Sequence, residues 1–168
     1  MSGHNDGIKN DIKGRIRGVV AIIGIGNIMR GDDGFGPKII ELLSRKQATL
    51  PEGRQRAHLF DCGTVPENYI FPILSTSCET IILVDAADFG AKAGTIKTLA
   101  LEEISASGIS THNSSIRLFT DLLMTGRGNL NIFAVSIQPK KIAFGDSLSD
   151  EVRLGIDELA GIFAEALA

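Results

Sequence analysis

The sequence has few cysteines, no excess of basic residues and no long apolar run, and each of these features excludes a class of protein. Its two cysteines, Cys62 and Cys78, form neither a CxxC pair nor a disulfide framework, which favours a reducing cytoplasm. No apolar run approaches the ~20 residues of a membrane-spanning helix, and no signal-peptide pattern opens the chain. The net charge of -3 gives no basic footprint. We therefore expect a cytoplasmic protein with no membrane insertion and no nucleic-acid partner.

The length and composition indicate one ordinary globular domain. The chain has 168 residues, of which 43% are hydrophobic and 22% charged. Residues 1–17 are polar and show no apolar period, so we predict a flexible N-terminal leader followed by a single domain over residues 18–168. His4 lies in this leader, where nothing would orient it as a metal ligand.

The segment from Val19 to Leu43 contains a strand, a glycine-rich turn and a helix. The continuous apolar run at its start is typical of a strand buried on both faces of a parallel sheet. Pro37 suits the first turn of the helix that follows, and the apolar residues after it have helical spacing. Asp32 and Asp33 therefore lie where the strand ends and the helix begins.

Two glycine motifs that bind phosphate groups fit this geometry but fail at decisive positions. Met29 stands where a dinucleotide-binding GxGxxG requires glycine, and Asp32 and Asp33 replace the Lys and hydroxyl residue of a phosphate loop. Two negative charges repel phosphate and attract a cation, which disfavours a nucleotide-binding module or a metal-dependent phosphatase. The alternative for either aspartate is a helix cap.

Two further candidates follow other elements. Thr80–Val84 is an apolar run typical of a central strand, and it ends in Asp85, with Asp88 close behind; both could instead be turn residues. Thr111 can cap a helix that extends to about Met124 and places His112 in its first turn. The positive helix end should keep this imidazole neutral near pH 7, the form that binds metal, although a histidine there can also simply bond to backbone.

The same patterns predict the remaining elements. In chain order they begin with a turn over 49–55, a strand over Ala57–Asp61 and a helix from about Val65, which has a capping box at Thr64–Glu67 and an interruption at Pro72. They continue with an alternating edge strand over Gly94–Ala100, which can pair antiparallel, a strand over Asn131–Ile137 and a helix over Ser149–Leu167. This alternation predicts an α/β three-layer sandwich, with a twisted, mostly parallel sheet of about five strands and helices on both faces.

Asp33, Asp85 and His112 should converge at one edge of this sheet, because ligands gather at the carboxyl ends of parallel strands. Two carboxylates and one imidazole suit a borderline divalent metal with open coordination positions, and the residues alone do not identify that metal. His58 and Cys62 are weaker candidates: a strand-face histidine without a neighbouring donor, and a thiol that is more often buried and inert than nucleophilic.

Five ordered motifs resemble one enzyme family. GIGNIMRGDDGFGPKIIELL, DCGTVPEN, IILVDAADFG, THNSSIRL and SIQP are similar to segments of the [NiFe]-hydrogenase maturation endopeptidases, from about Val19 to the C-terminus. The likeness is greatest to the branch that serves formate-hydrogenlyase hydrogenases. The resemblance implies an aspartic-type, nickel-dependent endopeptidase that removes the C-terminal extension of the hydrogenase large-subunit precursor after nickel insertion.

The resemblance also implies roles for individual residues. By motif, Asp33, Asp85 and His112 are the nickel-contacting catalytic residues; other branches have Glu in place of Asp33. Nickel would arrive with the precursor rather than as a permanent cofactor, and the enzyme is expected to be a monomer. The roles of Asp32, Asp88 and Arg30 stay open. The alternative is a non-catalytic nickel-binding maturation chaperone that uses the same ligands.

Overall fold

The structure is a computed structural model that describes residues 2–49, 57–107, 110 and 112–167. Its centre is a five-stranded sheet with the order β2-β1-β3-β5-β4. The strands are β1 Val20–Ile25, β2 His58–Gly63, β3 Thr80–Ala86, β4 Ile96–Ala100 and β5 Asn131–Ile137. The helices are α1 Ser2–Arg15, α2 Phe35–Ala48, α3 Ile70–Leu74, α4 Leu101–Ser107, α5 Asn113–Gly126 and α6 Asp150–Ala166, with 3₁₀ turns at Gly31–Gly34 and Pro66–Tyr69.

The sheet follows the predicted pattern. The continuous apolar runs form β1 and β3, which are buried along their whole lengths and pair in parallel. β4 pairs antiparallel with β5 at one edge, but it does not alternate as predicted, because its two buried residues, Ile96 and Leu99, pack on opposite faces of the sheet. The mostly parallel sheet with antiparallel β4 confirms the predicted α/β class.

Helices cover both faces of the sheet and complete the three layers. On one face Ile22 and Ile82 pack with side chains of α1, α2 and α6. On the other face Ile23 and Leu83 pack with side chains of α3, α4 and α5. The period of two along each strand thus decides which helices a strand residue meets. No helix in the described part of the chain combines the length and the apolarity that crossing a membrane requires.

The prediction of a flexible N-terminal leader is wrong. Residues 2–15 form α1, and Ile12 is fully buried in the core shared with α2 and α6. Ile8 and Ile16, each four residues from Ile12, pack against the same core, so three isoleucines form a narrow stripe on one helix face. The N-terminal helix is therefore part of the folded domain, although its sequence is mostly polar.

The helix predicted from Val65 is shorter and begins later. Val65 precedes the 3₁₀ turn, no side chain caps that turn, and α3 runs only from Ile70 to Leu74 around Pro72. The capping box is thus wrong, and Pro72 does not interrupt the helix but lies in the first turn of α3, where a proline is tolerated. Most of the predicted turn over 49–55 and the predicted cap Thr111 lie outside the described residues.

Two glycines allow the start of α2 to press against the sheet. A Cβ on Gly36 would lie 2.3 Å from the carbonyl oxygen of Val84 and 2.4 Å from that of Ile25. Gly26 has φ 139°, and a Cβ there would lie 1.9 Å from the carbonyl oxygen of Asp33. Only glycine permits this approach, which fixes the backbone of Asp33 directly above the ends of β1 and β3.

Candidate active site

The structure brings Asp33, Asp85 and His112 together at the carboxyl edge of the sheet. One ligand atom from each residue lies within 4.8 Å of the others. Nε2 of His112 is 3.2 Å from both carboxylate oxygens of Asp33. Asp33 is fully buried, Asp85 is 2% exposed and the His112 side chain is 10% exposed, so the imidazole is the most accessible of the three groups.

Each side chain comes from a different element. Asp33 belongs to the 3₁₀ turn between β1 and α2, and Asp85 is the sixth residue of β3 rather than a residue beyond its end. Asp85 lies two residues after Leu83 and four after Ile81, so its side chain is on the same face of the strand as theirs, which is the face that packs against α5. His112 immediately precedes α5. The alternation of β3 therefore directs Asp85 toward the start of the helix that carries His112.

Neighbouring groups orient the two acids. The Ser110 hydroxyl donates to Oδ2 of Asp85 and accepts from the backbone N–H of His112 at 3.0 Å, so one serine links two members of the cluster. The backbone N–H of Asn27 donates to Oδ2 of Asp33 at 3.0 Å. Sequence reasoning missed Ser110, since a serine two residues before the histidine carries no signal of its own.

Burial raises the pKa of Asp85 to about 7, against the opposing effects of the Ser110 hydrogen bond and the nearby His112. The adjacent charge of Asp33 raises it further. Without a cation, the ionised form of Asp85 is thus costly near neutral pH. A divalent metal in the cluster would supply the missing positive charge.

The pKa of His112 is raised, contrary to the prediction that the helix start would lower it. Burial does lower it and Arg30 adds to that effect, but the hydrogen bond to Asp33 and the negative charges of Asp85 and Asp33 outweigh both. His112 also precedes the helix without capping it. One hydrogen-bonded carboxylate, Asp33, and the charge of a second, Asp85, act more strongly on the imidazole than the partial charge of a helix end.

The donor set fits a divalent transition metal. Oδ1 of Asp85 is buried and has no hydrogen-bond partner among the described residues, so a lone pair is available inside the cluster. Ligand atoms around one ion with bonds of roughly 2.0–2.2 Å lie at most about 4.4 Å apart, close to the spacing found here. Imidazole and carboxylate are suitable ligands for nickel, and three protein ligands leave coordination positions open.

Asp32 has a different role from Asp33. It is fully buried, caps neither the 3₁₀ turn nor α2, and its carboxylate accepts hydrogen bonds from the segment 140–149. The donors are the N–H groups of Lys140 at 2.8 Å, Lys141 at 3.0 Å and Ser149 at 2.7 Å, together with the Ser149 hydroxyl at 2.9 Å. The cap alternative is therefore wrong for Asp32, which ties a distant loop to the turn that bears Asp33.

The other candidates lie outside the cluster. Asp88 is exposed and holds a turn by accepting from Gly90 N at 3.1 Å and from Gln138 Nε2 at 3.0 Å. Cys62 is buried, and burial raises the pKa of its thiol to about 12, which makes it a poor nucleophile. His58 lies on edge strand β2, and the side chain of His4 lies outside the described residues.

Replacing Asp85 with Asn should stabilise the metal-free protein at alkaline pH. Because the folded-state pKa is raised to about 7, ionisation of Asp85 above that value opposes folding. We expect Asp85→Asn to gain about 1–3 kcal/mol in the free energy of unfolding at pH 8, and the gain to shrink as the pH falls toward 4. Thermal unfolding followed by circular dichroism measures this difference.

Asp88→Asn is the matched control, because Asp88 is exposed and its pKa is lowered by Gln138 and Gly90. It should not raise stability at pH 8. An Asp85→Asn protein that is less stable than the unchanged protein at pH 8 would show that burial does not disfavour the ionised carboxylate.

The three layers around a mostly parallel sheet define an α/β protein, and the two carboxylates and one imidazole at the carboxyl edge of that sheet could hold a metal ion. Residues 37–166 match the family model for hydrogenase maturation protease. The chain belongs to the hydrogenase maturation protease family, whose members are endopeptidases that process the hydrogenase large subunit.

Individual relatives agree with this assignment. The hydrogenase 3 maturation protease of Escherichia coli is 30% identical over 134 residues, which are 79% of this chain and 81% of the relative. The hydrogenase expression/formation protein HupM of Azotobacter chroococcum is 30% identical over 158 residues, 89% of this chain and 71% of that protein. The crystal structure of the [NiFe] hydrogenase maturation protease HycI from Thermococcus kodakarensis superposes with a TM-score of 0.80 at 26% identity, covering 94% of this chain and 98% of that one.

Proposed function

We propose that this endopeptidase removes the C-terminal extension of a [NiFe]-hydrogenase large-subunit precursor after nickel insertion, and that Asp33, Asp85 and His112 contact the nickel that the precursor carries. The observation that supports it is the cluster itself: three ligand atoms within 4.8 Å of one another, one of them on an acid whose Oδ1 has no hydrogen-bond partner in the described part of the chain. Cys62 and Cys78 are both free and buried, which suits action in the cytoplasm.

An incomplete ligand shell explains how the enzyme can distinguish a precursor that already holds nickel from one that does not. A structural metal site normally closes with four protein ligands, often thiolates, whereas this cluster offers two carboxylates and one imidazole. The remaining donors would come from the precursor, and soft thiolates there would suit the metal. Nickel is then part of the substrate, and the full coordination sphere exists only when enzyme and loaded precursor meet.

The metal contact also positions the peptide for hydrolysis. Nickel held by Asp33, Asp85 and His112 would bring the adjacent precursor segment to a fixed place at the sheet edge, and proximity of this kind accounts for much of the rate of an enzyme. The pKa of Asp85 is raised to about 7 by burial, so this carboxyl can hold or release a proton near neutral pH, and the hydrogen bond with Asp33 raises the pKa of His112 against the effect of burial.

Cleavage of nickel-loaded and nickel-free precursor tests this proposal. We expect the loaded precursor to be cleaved at least about tenfold faster, since each lost contact worth ~1.4 kcal/mol costs a factor of ten. Mass spectrometry of both products identifies the reaction, and elemental analysis of the isolated enzyme should show no stoichiometric metal.

Two outcomes would contradict the proposal. One firmly bound zinc ion per chain, together with equal cleavage of both precursor forms, would show that nickel in the precursor does not contribute to recognition or cleavage. Binding of the loaded precursor without release of a peptide would instead support the non-catalytic nickel-binding chaperone.

A further inference from the structure

Three large apolar side chains are exposed beside the candidate active site. Ile28 is 61% exposed, Met29 53% and Phe144 77%. We call these three residues the apolar rim. Side chains of this size are normally buried, and an exposed apolar cluster on a folded surface commonly marks a contact with another molecule.

The rim is assembled by backbone hydrogen bonds between two loops. The N–H of Gly145 donates to the carbonyl of Met29 at 2.8 Å, so Met29 lies beside Phe144. The N–H of Gly31 donates to the carbonyl of Asp146 at 3.2 Å, and the N–H of Asp32 donates to that of Lys141 at 3.1 Å. These bonds hold the loops together independently of the exposed side chains, so the rim is fixed before any partner binds.

Asp32 also holds the loop that carries Phe144 in place. Its buried carboxylate accepts from the backbone of Lys140, Lys141 and Ser149, which bracket Phe144 on both sides. A loop fixed at both ends loses less conformational entropy on binding than a free one. The fold thus stabilises a loop that exposes an aromatic side chain, Phe144.

The rim is continuous with the metal-type cluster. The loop 27–30 begins with Asn27, whose N–H donates to the Asp33 carboxylate at 3.0 Å, and Ile28 and Met29 are the next two residues. The charge of Arg30, next in the loop, acts on His112. A precursor that presents its metal to Asp33 and His112 would therefore have part of its surface close to the rim.

We propose that the apolar rim contacts apolar side chains of the hydrogenase precursor next to its metal site, and that Met29 and Phe144 determine how tightly the substrate docks. This inference rests on the proposed function, because it places the precursor at the cluster. Methionine and aromatic residues are enriched at interfaces, where they supply contact area that charged residues do not. The rim thus binds the protein around the metal while the cluster contacts the metal itself.

The test is precursor cleavage by Met29→Gln, Phe144→Ser and the double variant, with Met124→Gln as matched control. Met124 is also exposed, at 36%, but it lies 11 residues beyond the first residue of α5, about 16 Å along the helix from the cluster. We expect each rim variant to raise KM about tenfold and the double variant more, with kcat at saturating precursor changed by less than about twofold. Met124→Gln should leave both constants unchanged.

Asp85→Ala, assayed in parallel, separates failure of this inference from failure of the proposed function. If the rim variants have an unchanged KM and Asp85→Ala is inactive, the proposed docking role of the rim is wrong and the proposed function is unaffected. A lowered kcat with unchanged KM would also overturn it, because docking affects binding first. Normal cleavage by Asp85→Ala would overturn the proposed function and, with it, the placement of the precursor on the rim.

Discussion

Asp85→Ala should abolish tail removal from the nickel-loaded precursor while the protein stays folded. The substitution removes a buried carboxylate that we propose as a nickel ligand and whose Oδ1 has no other partner among the described residues, so nothing else in the cluster replaces it. Losing a residue that only orients a metal ligand typically costs roughly 10–100-fold in activity, and losing the ligand itself should exceed that. Asp33→Ala and His112→Ala should behave alike. The rate of peptide release, measured by mass spectrometry, gives the effect.

Substitutions of the same residue types outside the cluster are the controls. Asp88→Ala and His58→Ala remove an aspartate and a histidine that the structure places elsewhere, and both should cleave normally. Asp33→Glu should retain more activity than Asp33→Ala, because it keeps the carboxylate. Full processing by Asp85→Ala with a normal circular dichroism spectrum would refute the assignment.

Asp32→Ala should cause the largest loss of stability of any single substitution at this edge of the sheet. Four donors, from Lys140, Lys141 and Ser149, would lose a buried charged acceptor. Hydrogen bonds to charged groups contribute roughly 1.5–3 kcal/mol each when the partner is left unsatisfied, but the loop can partly turn its donors to water. We therefore expect a loss of about 3–4 kcal/mol, or about 6–12 °C in Tm.

Asp88→Ala provides the comparison for stability as well. Asp88 also accepts two hydrogen bonds, yet it is exposed, so water can replace it, and we expect less than about 1 kcal/mol. Asp32→Asn should fall between the two, because an amide keeps one acceptor oxygen. Equal unfolding midpoints for Asp32→Ala and Asp88→Ala would show that Asp32 does not hold the loop 140–149.

The sequence predicts those parts of the structure that depend on local pattern. Periodicity indicates which residues are buried. It identifies the apolar runs of β1 and β3 as buried strands, and it identifies the buried face of α5 from Ile116, Phe119 and Leu123. The convergence of Asp33, Asp85 and His112 could be expected from one rule, that parallel strands end at a common edge. Their assignment to nickel depends on resemblance and not on spacing.

The remaining features depend on contacts that the local sequence does not encode. Asp32 is 108 to 117 positions from its hydrogen-bond donors, so its role is visible only in the folded chain. The raised pKa of His112 likewise follows from two acids contributed by other elements. The sequence does not predict helix α1, because Ile8, Ile12 and, one residue beyond the helix end, Ile16 form a stripe only one residue wide in a polar segment, which is below what a periodicity argument detects.

The most direct test of the central claim is nickel X-ray absorption of the loaded precursor, recorded alone and after rapid freezing with the enzyme. The account predicts that mixing adds oxygen and imidazole nitrogen donors to the nickel, from Asp33, Asp85 and His112, and that Asp85→Ala reduces this change. A nickel spectrum that is the same before and after mixing, while the precursor is cleaved at its normal rate, would show that these residues do not bind the metal.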